Sequence, residues 1–157
     1  MSGPKLRTDV VDVYVFRRSA GAELLQLRRS RAPFVGAWHP VMGHIENGER
    51  AIETALRELH EEIGLARAGL VALYQLEQTF PFFLAERDEI MLSPRFAAEV
   101  DGSFEPRLNG EHDAHRWVPI ADAPDRFVWP GQQHAIDELA RFILPGGEKA
   151  EALRLLL

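Results

Sequence analysis

The 157-residue chain contains no cysteine. Disulfides, thiolate metal sites and thiol nucleophiles are therefore excluded. Long apolar runs are also missing: nothing approaches the roughly 20 residues that a membrane-spanning helix needs. The first residues, MSGPKLRTDV, hold no apolar segment of the kind a secretion signal carries. A soluble, cytoplasmic protein with no membrane partner is expected. The chain has no surplus of positive charge, with a formal net charge of -6 and a pI near 5.5. No stable nucleic-acid complex is expected of it, because phosphate neutralisation needs clustered Lys and Arg. An anionic small molecule stays compatible, since a bound cation reverses the local sign of charge. Repeats, low-complexity segments and linkers are absent too, so a single domain over residues 1–157 is expected.

Asp9 to Arg17 reads as a strand, with Val11, Val13 and Val15 alternating against Asp12, Tyr14 and Phe16. A turn at Ser19-Ala20-Gly21 leads to a hairpin partner at Glu23 to Arg28. Arg28, Arg29 and Arg31 then form a basic cluster that either meets substrate phosphates or is a solvated loop. Trp38 offers a flat apolar face for a base, or a core side chain. His39 precedes Pro40 and is biased away from helix, which predicts a short extended segment into Gly43.

The spacing predicts a helix from near Glu49 to Gly64, a residue whose missing Cβ suits a helix C-terminus. Ile52, Ala55, Leu56, Leu59 and Ile63 fall on one arc, and Glu58, Glu61 and Glu62 on a neighbouring one. Carboxylates three and four residues apart repel unless compensated, and a hard cation such as Mg²⁺, or Mn²⁺ in its place, prefers such oxygens. Further strands are expected at Leu70 to Phe80, at Glu89 to Val100 with an interruption at Pro94, and briefly at Arg116 to Pro119. Phe80-Pro81-Phe82-Phe83 suits core or subunit packing, or a substrate pocket. An acidic helical turn at Ala121 to Asp125 precedes a second helix, which starts at Pro130 and ends before Pro145. The tail, residues 145–157, adds a short amphipathic helix, frays, or packs on a second copy in a homodimer. Of the six histidines only His112 and His115 are close in sequence, too few ligands for zinc.

Gly43, Glu49, Arg57, Glu58, Glu61, Glu62 and Gly64 fit the pattern G-x5-E-x7-R-E-U-x-E-E-x-G-U, with Leu59 and Leu65 at the bulky apolar positions U. A chance match has odds on the order of one in ten million at ordinary residue frequencies. Residues 43–65 thus resemble the signature box of the Nudix hydrolases at every defined position. The resemblance implies an α/β fold, an α/β/α sandwich over a mixed β-sheet. It also implies hydrolysis of a pyrophosphate bond in a nucleoside diphosphate linked to another group. Glu58, Glu61 and Glu62 would hold Mg²⁺, with help from the Gly43 carbonyl. Glu49 and Arg57 would form the ion pair that fixes the loop to the helix, and Gly43 and Gly64 would be structural.

Glu111, in the turn before the last strand, is either an extra ligand or general base, or a solvated glutamate. Trp38 and Arg28 are the candidate substrate contacts. The run Trp38-His39-Pro40-Val41-Met42-Gly43 is similar to the branch acting on dihydroneopterin triphosphate and deoxynucleoside triphosphates. The segments Glu111-His112 to Val118 and Trp129 to Ile136 share that similarity. A triphosphate is the expected substrate, with a dinucleotide or nucleotide sugar as the alternative. The isomerase branch of the fold needs a catalytic cysteine and is disfavoured. A sensor without turnover need not keep the whole box, and an RNA-end hydrolase conflicts with the acidic surface.

Overall fold

The computed structural model describes residues 2–157. In chain order the strands are β1 (Lys5–Arg7), β2 (Val10–Arg17), β3 (Glu23–Arg29), β4 (Trp38–His39), β5 (Val41–His44), β6 (Leu70–Leu76), β7 (Phe82–Leu84), β8 (Glu89–Met91), β9 (Arg95–Val100) and β10 (His112–Pro119). The helices are α1 (Ala51–Ile63), α2 (Pro130–Glu138) and α3 (Glu148–Leu153).

The alternation along β2 builds two cores. Val11, Val13 and Val15 pack with Leu25, Leu27 and, from α1, Ala55, Leu59 and Ile63. Tyr14 and Phe16 pack on the opposite face with Phe127, Ala135, Ile136 and Leu139, and with Ala150 of α3. Helices thus cover both faces of a mixed seven-stranded sheet of order β10-β3-β2-β9-β6. Its one parallel pair is β2 with β9, among the described residues. This is the expected α/β/α sandwich.

The β2–β3 hairpin pairs only at Phe16↔Leu24 and Arg17↔Glu23, then splays open. β4 pairs with β3 and β5 with β2 inside that gap, so the segment leading into the box is woven into the sheet. Pro40 lies between them without an N–H to donate. The expected strand from Glu89 to Val100 divides at Pro94, and its halves join different sheets. β8 pairs with β1 and β7 in a small three-stranded sheet, while β9 lies beside β2. The strand expected to reach Phe80 stops at Leu76, because the Glu138 carboxylate accepts the Glu77 N–H at 2.6 Å in place of a neighbouring strand. The last strand is longer than expected, since β10 follows β3 along its whole length.

Helix α1 begins at Ala51, two residues after the expected start, because Glu49 remains in a turn that its N–H closes on the Glu46 carbonyl. The helix ends as expected, with Gly64 at φ +72° and its N–H bonded to the His60 carbonyl. Beyond α2, residues Leu139–Ile143 continue in wider five-residue turns, and α3 follows. The tail docks on β6: Arg154 pairs with Tyr74, and the Leu155 N–H bonds the Leu73 carbonyl at 2.8 Å. Phe82 and Phe83 are 38% and 56% exposed, so the Phe80–Phe83 run does not fill the core. Among the described residues no helix is long and apolar enough to cross a membrane.

Candidate active site

Strand β5 and helix α1 meet at one close approach. A Cβ on Gly43 would lie 2.0 Å from the Glu58 carboxyl carbon, so only glycine lets this carboxylate rise against the strand. The three box carboxylates are not equivalent. Glu58 and Glu62 turn inward and are buried, while only Glu61 faces solvent. Part of the face expected to bind is therefore also packed. Burial pushes the Glu62 carboxyl well above its ordinary range, and the neighbouring Glu58 pushes it the same way. The Met42 N–H, 3.4 Å away, and Arg29 pull it down. Burial also raises Glu58, against the opposing pull of Arg57.

Arg57 is the hub of the site. It grips Glu49 with two hydrogen bonds, Nε to Oε1 at 2.7 Å and Nη2 to Oε2 at 3.0 Å, the fork geometry that suits a carboxylate. Its Nη2 also donates to the His44 carbonyl at 2.9 Å, tying the helix to the end of β5. Nη1 reaches Glu58 at 2.7 Å and Glu61 at 3.3 Å. The Arg57 hydrogen bonds are the main reason that Glu49 is held down to about 2. The Thr54 hydroxyl, fully buried, donates to Glu49 Oε2 at 2.7 Å.

Glu111 stands in the turn before β10, with its carbonyl accepting the Ser30 N–H at 2.9 Å. Its charge is among the lesser causes that raise Glu58 and Glu62, so it lies within electrostatic reach of both. Trp38 and Arg28 do not join this group. Alternation along β3 sends Leu25, Leu27 and Arg29 toward α1, and Leu24, Gln26 and Arg28 to the other face. Arg28 is ion-paired with Asp113 at 2.7 Å. Trp38, opposite Arg28 in register, carries the Arg116 guanidinium over its ring at 4.0 Å.

Arg29 is the basic residue that faces the carboxylates, and the alternation of Leu25 and Leu27 was the signal for it. Two histidines also converge beside the cluster. His39 and His112, each 5% exposed, place their Nε2 atoms 3.1 Å apart. Burial holds His39 down to about 4 and lowers His112 as well, so both rings are neutral near pH 7. No sequence signal links these two, because 73 positions separate them.

Among the described residues no three His, Asp or Glu side chains are gathered closely enough to hold a metal ion as they stand. Arg57 occupies Glu58 and Glu61 instead. The donors nevertheless fit a hard divalent ion. They are all oxygens, the buried Glu62 carboxylate has no ion pair among the described residues, and the missing Cβ of Gly43 leaves its backbone open to the Glu58 carboxylate.

The chain is also similar to known proteins over most of its length. The family model described as NUDIX domain matches residues 6–139. An octanoyltransferase of Myxococcus xanthus is 33% identical over 135 residues, which is 85% of this chain and 36% of that protein. The asymmetrical bis(5'-nucleosyl)-tetraphosphatase of Rattus norvegicus is 34% identical over 87 residues, 55% of this chain and 58% of the relative. The chain thus spans about a third to three-fifths of these two relatives. The crystal structure of a C. elegans Ap4A hydrolase complex superposes with a TM-score of 0.75 at 20% identity, covering 89% of this chain and all of the other, a likeness of fold. With the family model spanning most of its length and the box residues joined as described, the chain belongs to the NUDIX domain family.

Proposed function

We propose that the chain hydrolyses a pyrophosphate bond in a dinucleoside polyphosphate, using a divalent ion such as Mg²⁺. The observation that carries this reading is the pair of buried carboxylates, Glu58 against Gly43 and Glu62 against the Met42 N–H, within electrostatic reach of Glu111. The substrate class follows from the tetraphosphatase relative. This moves the preference from a nucleoside triphosphate, the expectation drawn from the Trp38 to Gly43 run, to its alternative.

Glu58, Glu61 and Glu62, with the Gly43 carbonyl, would hold the ion once Arg57 releases Glu58 and Glu61. When bound, it supplies positive charge against the phosphates and makes attacking water more acidic. The Glu49–Arg57 clamp fixes the end of β5 to α1, so that the carboxylates keep their places. Water forms a new bond to phosphorus as the bridging P–O bond breaks. Its proton passes to a carboxylate, and Glu111, exposed and within electrostatic reach of Glu58 and Glu62, supports that role. Arg29 adds positive charge on the same side of the sheet. A single domain acting on a small nucleotide fits the acidic surface.

The test is a panel of dinucleoside tetraphosphate, nucleoside triphosphates, dihydroneopterin triphosphate and ADP-ribose, assayed with Mg²⁺ and product masses. The reading expects the highest kcat/KM on the dinucleoside polyphosphate. A preference of tenfold or more for a triphosphate that releases pyrophosphate would restore the earlier expectation.

A further inference from the structure

Glu111 is an exposed turn residue, yet its backbone is held from both sides. Its carbonyl accepts the Ser30 N–H at 2.9 Å, and its own N–H donates to Asn109 Oδ1 at 3.1 Å. The same Asn109 oxygen lies 3.1 Å from His112 Nδ1. His112 Nε2 in turn meets His39 Nε2 at 3.1 Å, and His39 Nδ1 meets the Pro40 carbonyl at 2.5 Å. The carbonyl can only accept, so His39 carries its proton on Nδ1. Its Nε2 is then the bare acceptor, and His112 Nε2 must be the donor. His112 Nδ1 is then bare and makes no hydrogen bond with the Asn109 oxygen, which serves the Glu111 N–H alone; the contacts run from Pro40, three residues before Gly43, to His112, the residue bonded directly to Glu111 in the chain.

From this chain of contacts we infer that His39 and His112 are positioning residues for catalysis. They couple the β4–β5 junction to the turn that carries Glu111, and so fix where that carboxylate stands against Glu58 and Glu62. The inference rests on the proposed role of Glu111 in hydrolysis. Both rings are buried and neither is placed to touch substrate, so their effect passes through the turn. Two imidazoles facing each other inside a protein are a poor choice for packing alone, since each polar atom needs a partner. The two Nε2 atoms find it in each other.

A double-mutant cycle on the dinucleoside tetraphosphate assay separates the possibilities. His112→Phe keeps a flat ring but removes the donor, and it is expected to lower kcat about tenfold, the lower end for loss of a supporting partner. KM should stay within about twofold. His112→Gln, which restores a donor to His39 Nε2, should recover most of the loss. In the Glu111→Gln background, His112→Phe should cost no more than about a further twofold, because the residue it positions is already disabled. An equal loss in both backgrounds would overturn the inference, as would a change confined to KM. If Glu111→Gln alone leaves kcat unchanged, the role of Glu111 falls and this inference with it, while the metal reading stands. Imidazole nitrogen shifts by NMR give a readout apart from turnover. They should show His39 protonated at Nδ1 and His112 at Nε2, and the opposite tautomers would overturn the coupling.

Discussion

At the scale of single residues, the site depends on an atom that is missing. Gly43 has no Cβ, and the Glu58 carboxylate fills the space. Gly43→Ala is expected to weaken Mg²⁺ binding at least about tenfold, by calorimetric titration, as Glu58 is pushed aside. Stability should fall by no more than about 2 kcal/mol, because the displaced atoms are the far end of one side chain. Unchanged Mg²⁺ affinity would remove Glu58 from the ligand set. Box residues were legible because they are local, seven defined positions within one loop and helix. Arg29 was within reach of strand alternation, yet the basic cluster hid which arginine turned toward the carboxylates. The His39–His112 pair was beyond the sequence, because a hydrogen bond between residues on separate strands leaves no periodic trace.

Among the elements, α1 and the two faces of β2 were readable from apolar periodicity, since Val11, Val13 and Val15 pack as one set and Tyr14 and Phe16 as another. The strand ends were less so. Glu138 takes the N–H of Glu77 from across the fold, and Pro94 hands its chain from one sheet to another. Both are tertiary choices that local propensity does not carry. The end of α1 is different, because a left-handed glycine is a local requirement. Gly64→Ala, at φ +72° and with Arg107 Cβ 3.3 Å from the added methyl, should cost about 1–2 kcal/mol in urea denaturation. A loss near zero would show that the helix end rearranges freely.

The whole molecule holds a buried charge that its site does not use. Asp12 and Arg95 lie on adjacent strands, 8% and 3% exposed at the side chain and 3.7 Å apart. Asp12 Oδ1, Arg95 Nε and the Tyr14 hydroxyl find no hydrogen-bond partner in the described structure. Burial raises the Asp12 carboxyl from 3.8 to about 6, against the pull of Arg95. Between those values the unfolded chain has released a proton that the folded chain retains, so this group makes stability fall as pH rises from about 4 to about 6. Asn at this position cannot titrate. The stability of the natural protein relative to Asp12→Asn should therefore decline by about 1–3 kcal/mol across that window. A flat difference would mean that Asp12 titrates alike in the folded and unfolded chain.

The family model, the sandwich of helices about a mixed sheet and the carboxylates gathered beside Gly43 all bear on one claim, that α1 presents Glu62 for divalent-ion-dependent cleavage of a pyrophosphate bond. The most direct measurement compares the natural protein with Glu62→Gln for Mg²⁺ binding and for turnover of dinucleoside tetraphosphate, with and without EDTA. EDTA is expected to abolish turnover, and Glu62→Gln to lower kcat at least about a hundredfold while weakening Mg²⁺ binding in a protein that still folds. Turnover that survives both EDTA and the substitution would contradict the claim.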